Sequence, residues 1–84
     1  MAKVEAQAEG RVLLAAARDV SIGGMQILTG NPLPVGTQVE VSFILPGTEY
    51  KVRTPAVVRR VEVEAGMAIQ FTALSAADAE AIQK

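Results

Sequence analysis

A group of polar and flexible residues precedes an apolar segment in the first third of the chain. The stretch reads RDVSIGGMQILTG and brings together Arg18, Asp19 and Ser21 with the glycine pair Gly23 and Gly24. A carboxylate accepts from N–H donors, a hydroxyl donates or accepts, and an arginine fork binds anions and guanine edges. Glycines let a backbone approach a ligand closely or adopt positive φ. Asp and Ser also commonly bond their own backbone in turns. The stretch is therefore either a binding turn or a purely structural one.

Composition narrows the classes of function. The 84 residues include no cysteine and no histidine, which excludes disulfides, a zinc site and a Ser-His-Asp triad and argues against an enzyme. Three aromatic residues and a net charge of −1 do not suit a surface for nucleic acid or for an anionic membrane. No apolar run approaches the roughly 20 residues of a membrane helix, and MAKVEAQAEG lacks the apolar region of a signal peptide. We expect one soluble, cytoplasmic domain over residues 1–84, without a cofactor.

Short strands separated by turn residues position the polar stretch. Apolar and polar residues alternate over Thr37–Leu45 and again over Met67–Phe71, which is typical of strands with one buried face. Several such strands at short, even spacing indicate a barrel or sandwich. The predicted core comprises Met25, Ile27, Val39, Val41, Phe43, Ile69 and Phe71.

One long strand changes the phase of its alternation. In Tyr50–Val63 the apolar residues first occupy one set of alternate positions and later occupy the other set, which indicates a bulge or a bend. Proline cannot donate to a strand ladder, so we place this irregularity at Pro55. Arg59 and Arg60 follow on the same strand, where successive side chains are expected on opposite faces.

The two ends of the chain have different patterns. Two short strands around Glu9-Gly10 are predicted within Val4–Arg18. Ser75 is a predicted helix N-cap, and Asp78 is placed to bond back to it. The resulting helix is too short to be stable alone, so it must pack, and we expect Ala79 and Ile82 to provide the contact.

These segments together resemble the PilZ domain family. Residues 19–24, DVSIGG, fit the signature (Asp/Asn)-x-Ser-x-x-Gly, and family-like blocks follow in order: PLPVGT at residues 32–37, LPG at 45–47, AVVR at 56–59, GMAIQF at 66–71 and LS at 74–75. The resemblance covers residues from about Arg11 to the end of the chain. It implies a mainly β fold, a small six-stranded antiparallel barrel with a short C-terminal helix.

The resemblance also implies a ligand, the bacterial second messenger cyclic di-GMP. The family binds it through the Asp-x-Ser-x-x-Gly turn, here Asp19, Ser21 and Gly24, to which we add Gly23 and Arg18 as neighbouring candidates. The family's second element, an Arg-x-x-x-Arg segment before the first strand, has no counterpart in the 84 residues, which begin almost at that strand.

Two hypotheses follow from this departure. In the first, the chain is a cyclic di-GMP receptor module of second messenger signalling. In the second, it is a degenerate PilZ domain that does not bind nucleotide and acts through a protein partner. The sequence leaves the oligomeric state open.

Overall fold

The computed structural model describes residues 2–83. Over this range the chain forms strands that close into one antiparallel barrel in the order β1-β2-β3-β6-β5-β4. The strands are β1 (Ala2–Ala8), β2 (Arg11–Arg18), β3 (Gly24–Leu28), β4 (Gln38–Ile44), β5 (Lys51–Glu62) and β6 (Gly66–Phe71), and a helix α1 (Ala76–Gln83) follows. The predicted six-stranded barrel with a C-terminal helix is confirmed. No helix within residues 2–83 is long and apolar enough to cross a membrane.

A tight hairpin joins the first two strands. Glu9 and Gly10 occupy the turn with φ of 53° and 78°, and Ala8 pairs with Arg11 across it. Positive φ at both central positions defines a type I′ turn, whose twist suits a two-residue hairpin. The two short strands predicted around Glu9-Gly10 are therefore confirmed.

Alternating side chains fill the barrel. Every residue of the predicted core is buried, together with further aliphatic residues from β1 and β5. The rings of Phe43 and Phe71 stack with centroids 6.1 Å apart, which joins β4 to the end of β6 across the interior. The period-two pattern therefore identified the inward faces correctly.

The irregularity in β5 lies away from the predicted position. Pro55 pairs with Glu40 of β4 without a shift, whereas the register against β6 shifts between Val58 and Arg60. The Pro55 carbonyl accepts the Thr72 N–H at 3.0 Å, and Thr72 lies just beyond the end of β6. Pro55 is therefore tolerated, because it borders the sheet where the ladder with β6 has ended. A donor is not needed there. Arg59 lies at this bulge, and Arg59 and Arg60 are both exposed.

The helix is capped as predicted but packs lightly. The Ser75 hydroxyl accepts the Asp78 N–H at 3.1 Å, which confirms the N-cap. None of the residues Ala76–Gln83 is buried, and the helix touches the core through Ala81 and Ile82. Ala81 thus takes the place that we predicted for Ala79. The Asp78 carboxylate bonds to Tyr50, so the predicted bond back to Ser75 is replaced by a tertiary contact.

Candidate functional site

The predicted site residues lie in the turn between β2 and β3 and at its two ends, where Arg18 ends β2 and Gly24 begins β3. The closure of this turn depends on Ser21, whose N–H donates to the Gly24 carbonyl at 2.9 Å. The Ser21 hydroxyl accepts the Gly23 N–H at 3.2 Å. A serine that bonds the backbone two residues ahead is a common local turn. In this structure the Ser21 side chain therefore shapes the turn.

The two glycines of the motif have different surroundings. A Cβ added to Gly24 would lie 1.9 Å from the carbonyl oxygen of Ile69, because β3 and β6 cross closely there. A Cβ on Gly23 would meet nothing nearer than the Ser21 hydroxyl oxygen, at 3.8 Å. Neither glycine is among the residues with positive φ. Gly24 is thus required for the packing of two strands, not for the backbone freedom that glycine offers.

Asp19 is the residue of this turn with unusual backbone geometry. Its φ is 55°, a conformation that aspartate tolerates better than most residues. Its side chain is 81% exposed, and its Oδ2 atom lies 3.8 Å from Nε of Arg18. An exposed pair at this distance contributes less than about 1 kcal/mol, so both side chains can exchange partners at little cost.

Arg18 and Asp19 border an open groove of about 760 Å³. The groove is lined by the β2–β3 turn, by the β4–β5 turn with Tyr50, which we call the far wall, and by α1. Most of the surface between the charged residues is apolar and comes from Ala17, Val20, Leu45, Pro46, Ala77, Ala81 and Ile82. Ser21, Gly23 and Gly24 are not part of this lining. The predicted set is therefore divided: two side chains face the groove, and three residues build the turn behind it.

A hydrogen bond that the sequence did not indicate fixes the far wall of the groove. The Tyr50 hydroxyl donates to Oδ1 of Asp78 at 2.7 Å, which ties the β4–β5 turn to α1. The pKa of Tyr50 is raised, first by this hydrogen bond, then by partial desolvation and by the negative charge of Asp78. The two residues are 28 positions apart, and no local pattern connects them.

The structure does not gather the other arginines at the groove. Arg53 forms an ion pair with Glu40 at 2.6 Å on the outer surface of the barrel. Arg60 pairs with Glu62 at 3.1 Å near the other end of β5. Within the described lining of the groove, Arg18 is the only basic residue, and Asp19 and Glu80 are acidic.

The fold and the groove define a small β-barrel binding module. The chain belongs to the PilZ domain family, whose model matches residues 1–84. The PilZ family is a family of cyclic di-GMP-binding signalling modules. A comparison with curated proteins gives no significant match.

Proposed function

We propose that this chain is a signalling module that binds cyclic di-GMP in the groove beside the β2–β3 turn. The observation that carries the proposal is the placement of Asp19 and Arg18. Both are exposed, adjacent and on one wall of the groove, and the pair between them is weak. We choose cyclic di-GMP as the ligand because the PilZ family model matches the whole chain.

The chemistry of the two side chains suits complementary parts of the ligand. The Asp19 carboxylate accepts from the N1–H and the exocyclic amine of a guanine, which form a parallel pair of donors. The Arg18 guanidinium donates to a phosphate or to the guanine O6/N7 edge. The apolar surface beside them, with Val20 and Ile82, offers a face against which a base packs.

In this proposal the other residues of the motif shape the turn and do not contact the ligand. Ser21 and Gly23 close the turn by local hydrogen bonds, and Gly24 lets β3 approach β6. Asp19 is thereby held at the end of β2. The first residue of β1, Ala2, also borders the groove. A segment before the first strand, where the family has its arginine pair, would therefore reach the barrel beside the same groove.

A second candidate function has an observation of its own. Cyclic di-GMP is a dianion, and Arg18 is the only basic residue in the described lining of the groove, alongside the acidic Asp19 and Glu80. This charge balance favours a PilZ domain that binds no nucleotide and acts through contacts with a protein partner.

Titration calorimetry with cyclic di-GMP separates the two functions. The variant is Asp19→Gly, because glycine adopts positive φ without strain while removing the carboxylate. The matched control is Glu64→Gly, since Glu64 is also exposed with a φ of 67°. Glu64 lies beside Leu28 and Thr29, at the other end of β3.

We expect saturable binding by the unchanged chain and by Glu64→Gly. Losing a hydrogen-bonded charged group costs about 1.5–3 kcal/mol, so Asp19→Gly should weaken binding by roughly 10- to 150-fold. Equal affinities for the three proteins would refute the role of Asp19. Absence of binding by the folded, unchanged chain would favour the second function.

A further inference from the structure

One edge of the barrel is incompletely paired. Strand β2 pairs with β1 from Arg11 to Ala17. Its pairing with β3 covers only three positions, Ala16–Arg18. The first five residues of β2, 11–15, therefore have a neighbouring strand on one side alone, and we call this segment the β2 edge.

The backbone groups of the β2 edge follow from the hairpin. The residues that flank a type I′ turn are hydrogen bonded to each other, so Arg11 directs its N–H and C=O groups to β1. In an antiparallel pair this direction alternates along the strand. Leu13 and Ala15 then also direct their backbone N–H and C=O groups toward β1, while Val12 and Leu14 direct theirs away from it. These groups of Val12 and Leu14 form the open side of the edge.

The side chains of the edge do not protect it. Val12 is 60% exposed and Leu14 is 73% exposed, and the segment VLLA at residues 12–15 carries no charge and no proline. Natural proteins usually guard an open strand edge with lysine, proline, a bulge or a covering element. An unguarded apolar edge is the usual template for the addition of another strand.

We propose that the β2 edge is a homodimer interface, in which β2 of a second copy pairs antiparallel with it. With the two-fold axis at Leu13, Val12 of each copy lies opposite Leu14 of the other. Both residues direct their N–H and C=O groups outward, so each opposed pair is a hydrogen-bonded pair. The exposed side chains of Val12 and Leu14 also meet directly across the axis, where apolar cross-strand pairs stabilise a sheet.

The segment is thus self-complementary in both its hydrogen bonds and its side chains. An isologous contact of this kind closes with two copies. A depression of about 480 Å³, lined by Ala6, Ala8, Arg11–Leu13 and the loop at residues 30–34, borders the edge. The residues of the edge are absent from the groove lining, so this dimer leaves Arg18 and Asp19 accessible.

Disulfide cross-linking tests the register because the protein has no cysteine. Opposed residues in a hydrogen-bonded antiparallel pair have Cα atoms about 5.5 Å apart, within the roughly 4.4–6.8 Å that a disulfide spans. We expect an equimolar mixture of Val12→Cys and Leu14→Cys chains to form mainly the mixed disulfide dimer upon mild oxidation. The matched control is a mixture of Val63→Cys and Leu14→Cys, since Val63 is 90% exposed on another turn.

Cross-linking that is no faster in the Val12 and Leu14 mixture than in the control would overturn the proposed register. The second measurement is sedimentation of the full chain without cysteines over a range of concentrations. We expect a dimer for the unchanged chain and for Val63→Lys, and a monomer for the Val12→Lys, Leu14→Lys double variant. Lysine at these exposed positions leaves the barrel core unchanged.

Two results would refute the proposal. One is a monomer for the unchanged chain up to millimolar concentration, which would leave the edge to a strand from a different protein. The other is a dimer that the lysine pair does not weaken, which would place the interface elsewhere. Circular dichroism of each variant establishes that the barrel is folded in every comparison.

Discussion

Replacement of Gly24 by alanine tests whether the last residue of the motif serves packing between strands. The new Cβ would lie 1.9 Å from the carbonyl oxygen of Ile69, and real Cβ atoms essentially never come within 3.0 Å of such an atom. The obstacle is backbone, so it cannot move aside as a side chain does. Strands β3 and β6 must therefore separate locally by roughly 1 Å.

The expected cost has two parts. Overpacking a closely packed site costs about 1–3 kcal/mol. The separation also strains the hydrogen bond from the Phe71 N–H to the Gly23 carbonyl, now 3.0 Å long, and such a bond contributes about 1 kcal/mol. We therefore expect Gly24→Ala to lower the free energy of unfolding by about 2–4 kcal/mol, which in a domain of this size lowers the Tm by roughly 10–25 °C.

The matched control is the adjacent glycine. A Cβ on Gly23 finds open space beyond the Ser21 hydroxyl, and Gly23 is not among the residues with positive φ. Gly23→Ala should therefore change the free energy of unfolding by no more than about 1 kcal/mol. Urea denaturation of the three proteins provides the comparison. Equal stability of Gly24→Ala and Gly23→Ala would refute the packing explanation and return Gly24 to the set of possible ligand contacts.

Two further predictions concern the helix and the far wall of the groove. Tyr50 is the only tyrosine, and the chain has no tryptophan, so an ultraviolet titration reports Tyr50 alone; its pKa should lie above the ordinary value and return toward it in Asp78→Asn. The folded state favours the protonated phenol of Tyr50. The stability that the Tyr50–Asp78 hydrogen bond contributes is therefore present below the pKa of an unfolded tyrosine and is lost as the pH rises through the folded-state pKa. An unshifted titration of Tyr50 in the unchanged chain would contradict the contact. Ser75→Ala removes the N-cap, which costs about 1 kcal/mol, so amide exchange at Asp78 should accelerate several-fold while exchange in β4 and β5 stays constant. Acceleration throughout the barrel would mean that α1 and the barrel unfold as one unit.

The fold was largely predictable from local patterns. Strict alternation over Val39, Val41 and Phe43 identified inward positions, and all three are buried. The Glu9-Gly10 turn and the Ser75 cap are also local signals, since each depends on residues within a few positions of one another. The bulge in β5 was misplaced because its position depends on the register against β6, and register is a property of two strands that one strand's sequence does not contain.

The contacts of the candidate site residues were not predictable from the sequence. Arg18 is the last residue of β2, and Asp19 and Ser21 follow it in the β2–β3 turn. The sequence left open whether Asp19 and Ser21 bond their own backbone or a ligand; in the structure Ser21 bonds within the turn, whereas Asp19 lines the groove. It also missed Tyr50 and Asp78, which meet only after α1 folds onto the barrel.

The central claim is that cyclic di-GMP binds in the groove bordered by Arg18 and Asp19. The most direct test is a titration of the isotope-labelled chain with cyclic di-GMP, followed by the NMR shifts of its backbone amides. We predict saturable shifts concentrated at residues 17–20 and in α1, with little change at Glu64 in the β5–β6 turn. Saturable shifts centred on that distant turn, or no shifts at high ligand concentration, would contradict the claim.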